Sequence, residues 1–555
     1  MLSAMPVALN ERTRGWLRFL WDKTTTRDDW SSRGTPHPWW DRESSAPMCS
    51  FPRFDLAESA CILPVLADQT PAWREVYTRM ADEIVGRHTT FWAAIDWLTL
   101  IGHDPDPDRY PPEWLAFLPG HLQGRYDPPG WTANGVEPWG LQPDPIGSDG
   151  NLFFRGFFNL TLSIYRYVSG DTKWERPFEM TGYRGRKFEW THRRIAEFLH
   201  QQWKERPQGP HCENTKIWPN CLSGAGLGLQ LTDVTTGTRF HGVYDEWVAF
   251  ARKHYLRTDA GGRLISFPLY YDPIEEVVCT FPDEASGLAA LVVTPYVLPQ
   301  NREFGEYLYR EAARIVGWSR TDVPLRFTSE DPRVQTIGLL IARELGDATT
   351  EKRLREVVER DYEPRWFGDE GTRFGWWFGT GEPHPRGQLS AWLALCDAGE
   401  PGAWVRVFNP EGPRTRFEEP TVESVDYPVL GIAEAWNDTN EGVLHIASYA
   451  ATPSRRGTPT RFRVTRLSDP PAVVVRIDGE EARWRVVGDN AIEIETDVGE
   501  HVFRIVTRGC RVADDPSSSG RATERKSEGP GAAAGGDGPT ADVPAADCGR
   551  GSSCC

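Results

Sequence analysis

Up to about residue 404, apolar positions recur every three or four residues, in runs that stop at small or acidic turns. Pro71–His88 places Trp73, Tyr77, Met80 and Ile84 on one stripe, and Phe188–Trp203 does the same with Phe188, Ile195, Phe198 and Leu199. Val243–Tyr255, Glu284–Leu298, Arg302–Trp318 and Val334–Leu345 read as further helices. Four junctions share one grammar: LPVLADQTPAW (Leu63–Trp73), YRYVSGDTKW (Tyr165–Trp174), IARELGDATTEKR (Ile341–Arg353) and AWLALCDAGEPGAW (Ala391–Trp404). Gly or Ala-Asp ends one helix, and an Asp followed by Thr, Pro or Glu opens the next. These are αα-hairpins, and none can hide its apolar face alone, so neighbours must stack.

From about Val405 the period shortens to two. Arg461–Leu467, Ala472–Ile477, Ala482–Val487, Ala491–Thr496 and His501–Thr507 alternate between turns such as Asp478–Gly479, which reads as an antiparallel β-domain. A chain of helical hairpins with no strand between them often closes into a barrel. The fold expected is mainly α: stacked helical hairpins over residues 51–404, with barrel closure a prior that the periodicity does not itself show, and the β-domain over 405–510. An N-terminal extension over 1–50 would precede them and a disordered, Ser/Gly/Ala/Pro-rich tail over 511–555 would follow. In the extension, Trp16, Leu17, Phe19 and Leu20 form an apolar face that suits docking on the protein's own body. Two Gly/Pro-rich stretches, Asp104–Gly150 and Gly368–Gln388, read as site walls or lids.

Composition narrows the function. The net charge of −17 argues against a phosphate-backbone partner, so no nucleic acid is expected. No run of about 18 apolar residues occurs, which speaks against a spanning helix. The N-terminus lacks the layout of a secretory signal. Ten scattered cysteines form no disulfide framework, and a reducing cytoplasm is the simplest compartment. The terminal Cys554–Cys555 pair superficially resembles a prenylation end but sits in a low-complexity tail. The 24 Trp, 25 Phe and 16 Tyr are enough to line a large core or an apolar or sugar pocket.

One segment concentrates chemistry: HCENTKIWPNC, His211–Cys221, just ahead of SGAGLGL, Ser223–Leu229. Eight residues separate Cys212 from Cys221, too many for a paired-cysteine zinc site, so no metal is expected. The thiols could be small buried hydrophobes. They could equally work with Glu213 as proton-handling groups if burial shifts their affinities, while the face of Trp218 shelters a cationic carbon. His211, beside Cys212, reads as an ordinary loop histidine.

The motif Cys212-Glu213 … Trp218-Pro219-Asn220-Cys221 resembles the linalool dehydratase–isomerase family. That family shows Cys-Glu, an aromatic six positions after the first Cys, and a second Cys three positions later. Other stretches follow in matching order: Asn151–Asp171, Tyr271-Asp272-Pro273, Pro385-Arg386-Gly387-Gln388 and Val425-Asp426-Tyr427-Pro428, together spanning roughly residues 50–500. The resemblance implies an (α/α)6 barrel with a central isoprenoid-alcohol pocket, no organic cofactor and no metal. It also implies catalysis by Cys212 and Cys221 with an early Asp, matched by Asp55. The family's Tyr six residues beyond that Asp falls on Cys61, and its Met and His, four apart, fall on Phe153 and Phe157. These departures make the pocket drier and more aromatic, which suits an isoprenoid other than linalool. Asp55 or Glu213 would be the stronger acid, acting through Cys212, with Cys221 helping to accept a proton. Trp218, Phe153, Phe157, Cys61 and Tyr271 would line the substrate. Members often assemble into rings, so a homo-oligomer is among the expectations.

The expected function is thus a terpenoid-modifying lyase or isomerase working by cofactor-free acid–base chemistry: dehydration, isomerisation, hydration or proton-initiated cyclisation. Two other classes stay open on the sequence. One is a glycoside hydrolase or polysaccharide lyase on an α/α toroid, for which paired carboxylates in an open groove would be the mark. The other is a non-catalytic scaffold, marked by a filled centre.

Overall fold

The computed structural model describes residues 6–507 except 32–33, 42–43, 46–47, 50–51, 91–143, 148–151, 183–184, 213–215, 274–275, 281–283, 319–331 and 412–415. The expected tail with Cys554–Cys555, most of the stretch Asp104–Gly150, and Glu213 lie outside the described residues. The chain is mainly helical with a β part. Its helices are α1 (Glu11–Thr25), α2 (Pro52–Glu58), α3 (Ile62–Gln69), α4 (Glu75–His88), α5 (Leu152–Ser169), α6 (His192–Glu205) and α7 (Pro219–Thr236). They continue with α8 (Val243–His254), α9 (Glu284–Gln300), α10 (Arg302–Ile315), α11 (Pro332–Leu345), α12 (Ala348–Asp361), α13 (Gly387–Asp397) and α14 (Ala403–Phe408). Among the described residues no helix is long and apolar enough to cross a membrane.

Two kinds of helix alternate. α13 buries 10 of its 11 residues, whereas α12 buries 4 of 14. A helix apolar all round belongs inside, and one with a single stripe belongs outside. The packing follows that division: α5 meets α7, α7 meets α9, α9 meets α11, α11 meets α13, α13 meets α2, and α2 returns to α5. The stripe-bearing helices back them, with α4 and α6 on α5, α10 on α9 and α12 on α11. The glycine-spaced run is part of α7 and explains its closest packing. A Cβ on Gly156 of α5 would lie 2.6 Å from that of Ala225, and one on Gly224 would lie 2.4 Å from the Phe157 ring.

Expected and observed boundaries agree best where a cap is explicit. Between α11 and α12 the chain turns at Gly346 (φ +72°), and Asp347 caps α12 by accepting the Thr350 N–H at 3.1 Å. The same carboxylate accepts the Tyr309 hydroxyl at 2.9 Å. Asp347→Ala is expected to lower stability by about 1–2 kcal/mol, read by urea unfolding, with Asp347→Asn recovering most of it.

Strands do interrupt the helical part, contrary to the sequence expectation. Phe178–Thr181 pairs with Lys187–Trp190, Pro268–Asp272 with Val277–Thr280, and Pro364–Phe367 with Arg373–Trp376, all antiparallel. Phe188 therefore sits in a strand, and α6 starts at His192 behind Thr191, whose hydroxyl accepts the Arg194 N–H. Pro177 and the Gly182–Gly185 turn favour a hairpin where periodicity alone suggests helix. The supposed wall Gly368–Gln388 contains the strand Arg373–Trp376, buried under α1 with Trp376 against Trp16 at 6.1 Å. The apolar face of α1 docks on the body as its pattern suggests, with Trp16, Leu17, Phe19 and Leu20 all buried.

The β part starts at Thr421 rather than 405, because α14 buries Trp404, Val407 and Phe408 as a helical turn. Its strands are β1 (Thr421–Glu423), β2 (Leu430–Asp438), β3 (Val443–Ala450), β4 (Pro459–Thr465), β5 (Val474–Ile477), β6 (Glu480–Glu481), β7 (Trp484–Val486), β8 (Ile492–Asp497) and β9 (Val502–Val506). The last five expected segments thus fall on β4, β5, β7, β8 and β9. Two antiparallel sheets form, β1-β4-β8-β7 and β2-β3-β9-β5-β6. Phe462 of one sheet meets Phe503 of the other edge-on at 5.1 Å, so the core lies between them. Backbone bonds join this part to the helices: Leu9 N–H to Ala433 O at 3.0 Å and Ala72 N–H to Ala435 O at 2.9 Å.

Candidate active site

The short helix α2 and the turn after it carry three groups of interest: Asp55, Glu58 and Cys61. Glu58 is 3% exposed and projects against α9, where the Tyr296 hydroxyl donates to Oε1 at 2.6 Å. Among the described residues no hydrogen bond of ordinary geometry reaches Oε2. Burial pushes the Glu58 carboxyl up to about 8, and Tyr296, Gln388, Trp392 and the charge of Arg333 offset only part of that rise. Burial likewise drives the Cys61 thiol and the Tyr296 phenol well above their ordinary values, each pushed further by the charge of Glu58. Cys221, three residues into α7 and buried, is close enough to act electrostatically on Tyr296. One spot thus gathers a carboxyl, a phenol and two thiols.

Aromatic rings wall that spot. Phe54 meets Phe153 edge-on at 4.4 Å, Phe153 stacks on Phe157 at 4.5 Å, and Phe157 meets Tyr296 edge-on at 5.5 Å. Tyr296 in turn meets Trp392 at 5.6 Å. Phe153 and Phe157 fall one helical turn apart on α5, so both present to the same side. The wall is apolar where the polar groups are few, as a site for a greasy substrate requires.

Asp55, expected as an acid, is held otherwise. Lys23 Nζ lies 2.6 and 2.7 Å from its two oxygens, the Asp41 N–H bonds Oδ2 at 2.8 Å, and the Ser59 hydroxyl bonds Oδ1 at 2.8 Å. Burial raises this carboxyl and the Lys23 charge pulls it back. Both side chains are fully buried, so Asp55 is one half of an internal ion pair that pins α1 to α2. The Pro385–Gln388 motif belongs to the same assembly. A Cβ on Gly387 would lie 2.2 Å from Asp55 Oδ1, and Asp41 accepts the Gly387 and Gln388 N–H groups, capping α13.

The segment around Cys212 is stitched in place. The Cys212 N–H donates to Lys216 O at 2.8 Å, and the Leu152 N–H at the start of α5 donates to His211 O at 3.3 Å. Ile217 and Tyr271 exchange backbone bonds at 2.8 and 2.9 Å, joining the segment to the strand Pro268–Asp272. Lys216 Nζ lies 3.3 Å from Asp272 Oδ2, both buried, which is the work of the Tyr-Asp-Pro motif. Cys212 is fully buried beside the first turn of α5. Trp218 precedes α7 and packs on Tyr270 at 5.1 Å, while Tyr271 turns to Phe250 on α8 and to Tyr255 just after it. Of the expected residues, the structure therefore gathers Cys61, Cys221, Phe153 and Phe157 around Glu58 and Tyr296. Trp218 packs on Tyr270, and Tyr271 on Tyr255 and Phe250. His211 is a loop histidine against Arg206, as its position suggests.

The family suggested by the motif is the one that matches. Residues 132–374 match the model of the linalool dehydratase/isomerase family. The matched linalool dehydratase/isomerase segment supplies Phe153, Phe157, Cys212, Cys221 and Tyr296, whereas Asp55, Glu58 and Cys61 precede it. Similar solved structures include endoglucanase CelQ from Clostridium thermocellum with cellotriose, 10% identical over 91% of this chain and 94% of that one, TM-score 0.33. The same enzyme with cellobiose and cellotriose is 11% identical over 92% and 94%, TM-score 0.32. Likeness at this level carries no weight for substrate or fold.

Sequence reasoning missed Glu58 and Tyr296. It also missed a Ser163–His192–Glu175 array, with Ser163 Oγ 3.1 Å from Nε2 and Glu175 Oε1 3.0 Å from Nδ1. That array has the order of a nucleophilic triad, but Ser163 sits mid-helix, fully buried, and also bonds Gly228 O and Thr232 Oγ1. It braces α5, α6 and α7.

Proposed function

We propose that the chain is a terpenoid-modifying lyase or isomerase acting on an isoprenoid alcohol or related prenyl substrate by acid–base catalysis without a cofactor. The observation that carries this reading is that Cys221 of the motif is buried close enough to act electrostatically on the Tyr296 phenol, whose ring meets the phenyl wall at Phe157. A dry aromatic surround stabilises a cationic carbon and keeps water from quenching it. Cys212 and Cys221, with Glu213 between them in sequence, are the proton-handling groups of the motif. Phe153, Phe157, Cys61 and Trp218 line the substrate, with Tyr271 supporting the segment from behind. The closed circuit of buried helices from α2 through α13 supports an (α/α)6 barrel around this centre.

Two phenylalanines where the family carries methionine and histidine favour a substrate longer than linalool. The test is incubation with ten-, fifteen- and twenty-carbon prenyl alcohols and diphosphates, with products followed by mass spectrometry. The expected result is loss or relocation of a hydroxyl on an alcohol of at least fifteen carbons. Conversion of none of them, with release of sugars from oligosaccharides in a parallel arm, would overturn the proposal in favour of a carbohydrate enzyme.

A further inference from the structure

One buried acid near the aromatic wall lies outside the motif. We propose that Glu58, within the dehydratase/isomerase reading above, is the proton donor of the reaction and that Tyr296 is its relay. Three observations on the geometry converge. The carboxyl is 3% exposed and bonds Tyr296, whose ring meets Phe157 of the phenyl wall and feels the motif thiol Cys221. Its Oε1 is occupied by the Tyr296 hydroxyl at 2.6 Å, which leaves Oε2 to carry the proton. Among the described residues no hydrogen bond of ordinary geometry reaches the buried Oε2, although the Gln388 and Trp392 side chains face the carboxyl, so it is the oxygen placed to bond a substrate hydroxyl.

The neighbours agree with a neutral acid. The titratable or charged groups around the Glu58–Tyr296 pair are Cys61, Cys221 on α7 and Arg333 on α11; Gln388 and Trp392 of α13 are neutral. Lys23, the fully buried cation nearby in the chain fold, is committed to Asp55. A carboxyl that stays protonated near neutrality is a far stronger donor than a buried thiol, whose affinity for its proton rises with burial.

The step balances without a co-reactant. Oε2–H passes its proton to the substrate hydroxyl oxygen. The C–O bond breaks, its electron pair leaves with water, and an allylic or tertiary cation remains against the phenyl rings. A proton then leaves the adjacent carbon, its C–H pair forming the alkene. The Tyr296 oxygen takes that proton as its own passes to Oε1. The products are one alkene and one water, and Glu58 is again an acid.

Two measurements on the full chain test this. Turnover of the prenyl alcohol identified above should fall as pH rises through about 8, where Glu58 ionises. Glu58→Gln should lose at least a hundredfold, and Tyr296→Phe should slow the reaction while keeping the fold. A Glu58→Gln variant as active as wild type would overturn the proposal while leaving the dehydratase reading standing; a wild type inert on every alcohol would sink both. The second measurement needs no substrate. A carboxyl whose folded value is raised from 4.5 to about 8 stabilises the fold below 4.5 and loses that stabilisation as pH rises to 8. The melting temperature of Glu58→Gln minus that of wild type should therefore grow from about pH 4.5 to 8 and then level off. A gap that stays flat across that window would show an ionised Glu58 and overturn the assignment.

Discussion

Lys23→Met should destabilise the protein by about 3–5 kcal/mol at neutral pH, because it leaves the Asp55 carboxylate buried and uncompensated. Lys23 is fully buried, lies 4.2 Å from the Trp40 ring centroid, and is bonded to both oxygens of Asp55. Removing it strands a negative charge beside Asp41, whose own carboxylate caps α13. The remedy for a stranded carboxylate is to take up a proton, so its folded value climbs in the variant. A raised folded value means stability present below about 4 and lost as pH rises, so the deficit should shrink in acid. Urea unfolding at pH 7 and near pH 4 reads both effects. The double variant Lys23→Met, Asp55→Leu should recover most of the loss, because a dry pair replaced by apolar groups of similar size is close to neutral. Equal stability of Lys23→Met and wild type at pH 7 would show that the pair is not what fastens α1 to α2.

That pair also explains why the site was only half legible in the sequence. FDLAESAC presents Asp55 and Glu58 one turn apart on one helix, and nothing local says which of them is paired. The answer comes from Lys23 and from Tyr296, distant along the chain in opposite directions. The cysteine motif was readable because its parts are local: Cys212, the Lys216 carbonyl that fixes it, and Cys221 at the start of α7 all lie within ten residues. The helical stripes of the outer helices and the alternation of β4 through β9 were readable for the same reason, one face wet and one dry. The inner helices hide their period by being apolar all round, and α7 hides further behind Gly224, Gly226 and Gly228, whose helical role appears only against α5, α8 and α9. The hairpins escaped because short strands inserted between helices carry too few residues to establish a period.

Cys221→Ala is expected to cost roughly 10²–10⁴ in turnover of a prenyl alcohol while leaving the fold in place. The stability side is modest: trading a buried thiol for a methyl group in the first turn of α7 removes one heavy atom from a packed wall, about 1 kcal/mol. The chemical side is large for a different reason. In the proposed reaction Glu58 gives its proton to the leaving oxygen, and the proton that leaves carbon must travel back to it. Cys221 is close enough to act electrostatically on Tyr296, the group that takes that proton, so the thiol would tune the phenol for the transfer. Alanine removes that support; serine keeps a polar hydrogen at nearly the same place and should restore part of the rate. Cys212→Ala should also slow turnover. Cys212 follows His211, whose carbonyl accepts the Leu152 N–H at the start of α5, whereas Cys221 acts on Tyr296, so the two losses should combine unequally with Tyr296→Phe. Adding Tyr296→Phe to Cys221→Ala should cost little more than either alone, as for two links of one chain, whereas adding it to Cys212→Ala should multiply the losses. A folded Cys221→Ala enzyme with wild-type turnover would remove the thiol from the mechanism and leave Glu58 and Tyr296 to pass the proton unaided.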